Sequence, residues 1–330
     1  MTDLNLAQRF SIIGLNAQSS LYMTNVKKVS VRCMAAAVIL DAYLDNAFEK
    51  TGNRLTLHSD VLNQADIMPY QEMILKVFFN KQAEANGDLK WWLKKASSLS
   101  KKKLKSFELT ITDSLKEMGM LEEIPSLLGS DLYYVSAGVA VKDYRSNIEE
   151  YSRISESVRA EILEEGSVTD DVICMIWLLR ESGCMHDFFS QNELAKVNTR
   201  MNDLFHNTLL AQELFPIHIR HGVEIGIKQY LQMKSRFAKT TVGTSINFFF
   251  PMLERSKAVF IETEAWFSNS SQRLNDVVQR LESYGHEVNV LEKGTIPTIK
   301  IDNLVYEAVP HVVHKQIPIQ GVRLVPRLPV

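Results

Sequence analysis

The sequence has few cysteines and lacks the short motifs of the common enzyme classes. Its three cysteines, Cys33, Cys174 and Cys184, form no CxxC pair, which argues against a zinc knuckle or a disulfide framework and fits a reducing compartment. It contains no GxxxxGK(S/T) loop, no GxGxxG after a strand, no GxSxG elbow and no HExxH helix. These absences favour a protein that is not an enzyme and that holds no cofactor, nucleotide or catalytic metal.

A long hydrophobic run and a strong net charge are also missing. The longest clean apolar stretch, residues 33–40, is far shorter than the roughly 20 residues that span a bilayer. Asp3 stands where a signal peptide would carry basic residues. The formal net charge is -2, so any basic surface must be local. We therefore expect a cytoplasmic protein, either soluble or held peripherally at the inner face of a membrane.

Hydrophobic periodicity predicts a mainly α fold with a small C-terminal α/β unit. Residues 29–49 are apolar on nearly all sides, which predicts a buried helix with Ala36, Val38, Ile39 and Leu40 in the core. Further helices are predicted over residues 68–83, 87–96, 100–118, 143–165, 172–179 and 190–235, with a short hairpin from residue 120. Alternating patterns beyond residue 251 predict strands around one helix at 270–284. We place a helical domain at 1–250 and an α/β domain at 251–330.

Histidine pairs are the one metal-like pattern in the chain. His218 with His221 and His311 with His314 have HxxH spacing, but neither pair has an obvious third ligand nearby. The ordinary interpretation is surface or partly buried histidines, and we expect no metal site.

Lysine density is the strongest local feature. Six lysines fall within twelve positions: Lys94, Lys95, Lys101, Lys102, Lys103 and Lys105. Lys101 and Lys105 are one helical turn apart and share a face. Such a patch can hold the phosphates of lipid or nucleic acid, and the ordinary alternative is a solvated helix face.

A second basic group and a tryptophan pair accompany the lysine run. Lys27, Lys28 and Arg32 stand at the start of the buried helix, where backbone N–H groups favour an anion. The ordinary alternative for Arg32 is pairing with a carboxylate. Adjacent tryptophans on a helix point about 100° apart, and we expect both Trp91 and Trp92 in the core.

Three segments resemble the Golgi phosphoprotein 3 family, which includes bacterial members. They are FSIIGLNAQSS followed by SVRCMAAAVILDAYL, then KSFELTITDSLKEMGMLEE, and then ESVRAEILEEGSVTDDVICMIWLLRESG. The resemblance covers about residues 5–235 and implies a helical domain of the Golgi phosphoprotein 3 type. The α/β unit beyond residue 250 has no counterpart in it.

The resemblance also implies a function. Eukaryotic members of this family bind phosphatidylinositol 4-phosphate and act as adaptors for glycosyltransferase tails. Their headgroup pocket uses a tryptophan, a central-helix arginine and two arginines on a helix that ends in glycine. The central-helix arginine matches Arg32, and the tryptophan position falls at Met23, beside Tyr22. The other two positions carry Lys105 and Glu108, so one of them reverses charge.

Three functions are open at this stage. The first is a peripheral adaptor that binds anionic phospholipid, and possibly tails of membrane proteins, through Arg32, Lys105, Lys27, Lys28, Lys101, Tyr22 and Met23. The second is an enzyme with a site between the two domains, with His286, His311 and His314 as candidates. The third is a nucleic-acid-binding regulator that uses residues 94–105. Nucleic acid is the less favoured partner, and homo-oligomerisation stays open.

Overall fold

The computed structural model describes residues 4–63, 67–79, 85–127, 138, 140–219, 259–263, 270–314 and 318–327. Its helices are α1 Leu6–Leu15, α2 Asn25–Leu44, α3 Pro69–Leu75, α4 Leu89–Ser97, α5 Lys101–Glu117, α6 Ile148–Leu163, α7 Asp170–Ser182, α8 Met185–Phe188, α9 Gln191–Asn207, α10 Leu209–Leu214 and α11 Ser270–Ser283. Its strands are β1 Phe48–Thr51, β2 Arg54–Leu57, β3 Asn86–Gly87, β4 Leu121–Pro125, β5 Lys142–Ser146, β6 Val259–Glu262, β7 Val288–Glu292, β8 Thr298–Ile301, β9 Leu304–His314 and β10 Pro318–Pro326. The chain thus has a mixed α/β fold, with a C-terminal five-stranded sheet that confirms the predicted α/β unit. The helical region also contains the three-stranded sheet β1-β2-β3, which the periodicity does not predict.

Helix α2 lies at the centre of the helical region. The Thr24 hydroxyl accepts a hydrogen bond from the Lys27 amide and caps its N-terminus. The helix packs against α1, α4 and α7. The predicted core residues Ala36, Val38, Ile39 and Leu40 are buried. The all-round apolar pattern is therefore explained by neighbours on several sides, and the prediction of a buried helix is confirmed.

Helices α4 and α5 are joined by a short connection. Ser100 caps α5, and Gly119 follows it with a φ of 70°, a left-handed conformation that glycine adopts without steric cost. The tryptophan prediction is half right. Trp92 is fully buried, and its indole N–H donates to the Leu55 carbonyl over 3.0 Å. Trp91 is 36% exposed, because adjacent residues of a helix point about 100° apart and the side chain of Trp92 already faces the core.

Strand β4 forms in the first part of the hairpin predicted from residue 120, and the rest of that hairpin, from residue 128, lies outside the described residues. Strand β4 pairs antiparallel with β5, which opens the stretch that the periodicity assigns to a helix over 143–165. Helix α6 begins only at Ile148, capped by Asn147. Charged residues alternate with the buried Tyr144 and Ser146 in β5, and this period of two is the strand signal.

The C-terminal unit is a five-stranded antiparallel sheet in the order β6-β10-β9-β8-β7, with α11 against it. Helix α11 contributes Leu274, Val277 and Leu281 to a second hydrophobic core. Leu127 and Val141 of the helical region pack against this core, so the two regions touch. The boundary predicted near residue 250, and the end of the helix predicted over 190–235, lie outside the described residues.

No helix within the described ranges is long and apolar enough to cross a membrane.

Candidate functional site

A buried ion network links α2, α5 and β5. The Lys27 ammonium lies 2.5 Å from Glu108 Oε1, and both side chains are fully buried. Lys105 Nζ lies 3.2 Å from each oxygen of the same carboxylate. The Tyr144 hydroxyl donates to Glu108 Oε1 over 3.1 Å. Lys27 also donates to the Ser19 carbonyl. Glu108 is thus neutralised inside the protein by cations from two helices.

Burial sets the ionisation of this network. It lowers the pKa of Lys27 to about 8, although the charge and hydrogen bond of Glu108 act in the opposite direction. Burial, together with the charge of Glu108, raises the pKa of Tyr144 well above its ordinary value, so the hydroxyl stays a neutral donor. The network is therefore a structural element whose charges pair with each other.

Two cations that we expected at the surface are buried instead. Lys27 is fully enclosed, and Arg32 is only 7% exposed. Both lie on faces of α2 that other helices cover, since α2 has neighbours on several sides. The expectation that their charges reach the surface is therefore wrong. Packing of α5 beside α2, which that expectation also required, does occur.

The remaining predicted binding residues lie around the network. Lys105 is half-buried, and its ammonium donates to the Ser20 carbonyl over 3.2 Å. Tyr22 is 48% exposed, while Met23 and Lys28 are partly buried. Lys101 is exposed at the first turn of α5. The structure therefore keeps part of the predicted set near one surface and takes Lys27 and Arg32 into the interior.

An exposed cluster of lysines, here called the lysine corner, lies where α4 ends and α5 begins. It consists of Lys94, Lys101, Lys102 and Lys103, all exposed. Only residues 98–100 separate the two helices, so the end of one is next to the start of the other. No acidic residue occurs between Asp88 and Glu108 in the sequence, and Glu108 is buried. The lysine corner therefore has no acidic neighbour along this stretch of chain.

Three of these lysines stand against the dipole of their own helix. Lys101, Lys102 and Lys103 fill the first turn of α5, which contains no acidic residue. The N-terminus of a helix carries partial positive charge, so cations there are unfavourable and an anion is favoured. The helix would gain stability from acidic residues at these positions. Folding alone gives no reason for three cations in this turn.

Apolar side chains are exposed next to the lysines. Trp91 lies on α4, one turn before Lys95, whose ammonium is 4.5 Å from the centre of its indole ring. Leu21 is 44% exposed and follows Ser20, the residue that Lys105 of α5 contacts. An aromatic ring beside cations is the composition that suits a membrane–water interface.

The histidines of the alternative enzyme site are scattered. His286 lines a cleft between the two regions. His311 is exposed on β9, with its ring 6.1 Å from that of Phe260. The side chain of His314, and His221, lie outside what the structure describes. His218 Nδ1 is 3.2 Å from Glu181 Oε1. No group of three or more His, Cys, Asp or Glu side chains suited to a metal occurs in the described part of the chain.

Sequence reasoning missed the ion network, although a signal for it exists. Glu108 falls in the apolar stripe of α5 together with Leu104, Ile111 and Leu115. A carboxylate in such a stripe must be paired once it is buried, which predicts a cation from another element. Which lysine pairs with Glu108, Lys27 or its neighbour Lys28, depends on how α2 packs and cannot be predicted from the local sequence.

No protein-family model matches this chain, and no curated protein matches its sequence. The likeness to the Golgi phosphoprotein 3 family therefore rests on the order of its sequence segments.

Proposed function

We propose that this protein is a peripheral membrane adaptor that attaches to anionic phospholipid through the lysine corner. The observation that carries the proposal is the placement of Lys101, Lys102 and Lys103 in the first turn of α5, exposed and without an acidic partner in that turn. The Lys103 amide already donates to the Ser100 hydroxyl, so a phosphate group would be held by the positive end of the helix dipole and by the lysine charges.

Two features favour a lipid surface over a solvated lysine face. The first is the cost that the three lysines impose on their own helix, which a bound anion would remove. The second is the 36% exposed Trp91 on the adjoining helix, whose ring packs on Phe78 and Trp92 with one side and reaches the surface with the other. A ring at the level of the lipid headgroups would add apolar contact to the electrostatic attraction.

The expected affinity is modest and reversible. Each cation near an anionic bilayer surface contributes roughly 1 kcal/mol. The four lysines of the corner would therefore supply roughly 4 kcal/mol of binding free energy. This contribution decreases as salt is added, because the screening length is already only about 8–10 Å at physiological ionic strength. Such binding fits a protein that moves on and off a membrane.

The lipid selectivity should be broad. Arg32 is buried, and lysine offers a point charge in place of the bidentate fork of arginine. Glu108 is held by Lys27 and Lys105, so it does not repel a headgroup at the surface. We therefore propose binding to anionic phospholipids as a class, with phosphatidylinositol 4-phosphate as one member.

Vesicle co-sedimentation tests the proposal with charge-matched variants. Lys102→Glu/Lys103→Glu reverses two charges of the corner, and Lys196→Glu/Lys293→Glu makes the same change at exposed lysines elsewhere. Wild type and the second variant should sediment with phosphatidylglycerol vesicles at low salt and be released at high salt. The first variant should stay in the supernatant. None of the proteins should bind neutral phosphatidylcholine vesicles.

Two results would contradict a lipid role. One is equal sedimentation of both variants. The other is tight, salt-dependent binding of wild type to duplex DNA under conditions in which anionic vesicles capture none of it, since this would favour a nucleic-acid regulator.

The adaptor part of the proposal follows the family that the sequence resembles, whose second partner is the tail of a membrane protein. It predicts that wild type fractionates with membranes in cells and that Lys102→Glu/Lys103→Glu does not. Membrane association that persists in this variant would mean that a protein partner, rather than lipid charge, holds the chain there.

A further inference from the structure

A cleft at the junction of the two regions contains buried hydrogen-bonding atoms that have no partner among the described residues. It has a cavity volume of about 60 Å³. The segment after α1, strand β5 and the turn between β8 and β9 form its walls. A volume of this size holds several water molecules or part of a small organic ligand. The cleft is separate from the lysine corner, since no lysine lines it.

His286 is oriented by a carboxylate at the edge of this cleft. Its Nδ1 lies 2.8 Å from Asp302 Oδ2. Asp302 also accepts from Arg145 over 2.9 Å and from the Glu287 amide over 3.1 Å. Burial alone would raise the pKa of Asp302, but the hydrogen bonds that it accepts from His286, Arg145 and the Glu287 amide together hold it below its ordinary value. Asp302 is thus a carboxylate, and the proton between the pair belongs on His286 Nδ1.

The other ring nitrogen of His286 has no partner. The side chain is only 1% exposed, and Nε2 makes no hydrogen bond to any described residue. With Nδ1 protonated, a neutral imidazole presents Nε2 as a hydrogen-bond acceptor.

Asn303 supplies a second unused acceptor in the same cleft. Its amide nitrogen donates to Asn16 Oδ1 over 3.2 Å and to the Ser146 carbonyl over 3.1 Å. Both partners are acceptors, which fixes the orientation of the amide group. The Asn303 Oδ1 atom is buried and has no partner among the described residues. Two neighbouring buried acceptors without donors are unfavourable and call for a ligand that donates.

The charges and the apolar side chains that line the cleft indicate which class of ligand it can bind. Among the described residues that line the cleft, the formally charged side chains are Asp143, Asp302 and Arg145, which leave one net negative charge when His286 is neutral. This disfavours phosphate, sulfate and carboxylate ligands. Tyr22, which is 48% exposed, also lines the cleft, and its ring offers an apolar face to C–H groups.

We propose that the junction cleft binds a small neutral polyhydroxy compound, such as a polyol or monosaccharide, whose hydroxyl groups donate to His286 Nε2 and Asn303 Oδ1. The aliphatic side of the ligand packs against the Tyr22 ring. This site does not depend on the lipid function, and it binds a different kind of ligand from the lysine corner.

The nitrogen resonances of the His286 ring provide the test, because they respond to a hydrogen bond at Nε2. The full chain, labelled with nitrogen-15 histidine, is titrated with glycerol, xylitol, myo-inositol and glucose, and with sodium sulfate as a probe that only accepts hydrogen bonds. His286→Gln assigns the resonance. The expected result is a saturable shift with at least one polyol and none with sulfate.

Two variants test the site itself. His286→Phe removes the acceptor together with the reporter ring, so its polyol affinity is measured by isothermal titration calorimetry beside wild type and should be weaker by about tenfold or more. Tyr22→Ala changes a half-exposed side chain, so it should fold normally and still weaken binding. Lys102→Glu/Lys103→Glu should bind the polyol as wild type does, which separates this site from the lipid surface. The proposal is overturned if no polyol gives a saturable shift, if sulfate shifts the resonance, or if Tyr22→Ala and His286→Phe both bind as wild type does.

Discussion

The helical region and the C-terminal unit differ in where their charged side chains lie. The helical region encloses ionised groups in its core, where Lys27 and Glu108 are fully buried. The C-terminal unit keeps its own core apolar and places Asp302 and His286 at the edge that faces the helical region. Buried charges that pair with each other hold elements in place, whereas charges at a junction with unused atoms can recognise a ligand. The comparison indicates that function should be sought at the junction and on the surface of the molecule.

Removing the buried lysine should have the largest effect on stability. Lys27→Met keeps the length of the side chain but leaves Glu108 buried with only Lys105 as a cation. The free energy of unfolding should fall by about 3–5 kcal/mol, as is found when one partner of a buried pair is removed. Lys102→Met, at an exposed position, should change it by less than about 0.5 kcal/mol. Similar urea midpoints for the two variants would show that the buried pair does not stabilise the fold.

Matched substitutions in the two hydrophobic cores test whether the two regions unfold together. Ile39→Ala in α2 and Leu281→Ala in α11 each truncate a fully buried side chain. Each should cost about 2–5 kcal/mol through lost burial and a new cavity. In calorimetry, Ile39→Ala should lower the melting temperature of the helical region. If the junction couples the two regions strongly, Leu281→Ala lowers the melting temperature of one transition that both regions share. If the coupling is weak, the C-terminal unit of Leu281→Ala melts in a separate transition at lower temperature. No change in melting with Ile39→Ala would contradict the buried position of α2.

A pH effect is expected from Asp41, which holds the start of α1. Its carboxylate oxygens accept from the amides of Leu6 and Ala7 over 2.8 and 3.0 Å. Burial outweighs these bonds and raises the pKa from 3.8 to about 7. Between these values the folded state binds more protons than the unfolded state, so stability falls as pH rises.

The slope from Asp41 is at most about 1.4 kcal/mol per pH unit. Urea unfolding of wild type and Asp41→Asn between about pH 4 and 7 gives the free energy of unfolding of each protein at each pH. The pH slope of wild type minus that of Asp41→Asn is the contribution of Asp41. Parallel pH profiles would mean that Asp41 ionises in the folded protein as it does in the unfolded chain.

The lysine corner should give the smallest effect on stability, with the opposite sign. Replacing Lys101, Lys102 and Lys103 together by glutamate puts acids where the α5 dipole favours them. Each change should add about 0.3–1 kcal/mol to the free energy of unfolding at low salt. The same protein should lose vesicle binding. A gain in stability together with a loss of binding would show that these lysines serve a partner; a loss of stability would mean that they form contacts within the fold.

Much of the fold could be predicted because its signals are local. The apolar stripe of α5, Ser100 before it and Gly119 after it define a helix without any tertiary information. The same holds for α11, which ends before Gly285. Strand β5 was mistaken for helix because its charged residues fit either period, and only pairing with β4 decides between them.

The candidate sites were predicted less well, because they depend on which faces the packing covers. Lys94, Lys101, Lys102 and Lys103 could be identified from charge density alone. The burial of Arg32 and Lys27 could not, since α2 looks exposed at its start and is covered only after other elements dock. His286 and Asn303 carry no motif, and they become neighbours only through the turn between β8 and β9.

The sequence by itself determined where most of the longer helices and the C-terminal strands form, that α2 is buried and that one stretch carries a high density of lysines. Apolar spacing, caps and charge density are properties of short segments, so they act before the chain is folded. The tertiary structure decided which charges stay in water. Lys27 and Lys28 are adjacent in sequence, yet the first is fully enclosed against Glu108 and the second is partly exposed. That difference arises because burying an ion requires a partner of opposite charge, and here the partner comes from a helix about 80 residues away.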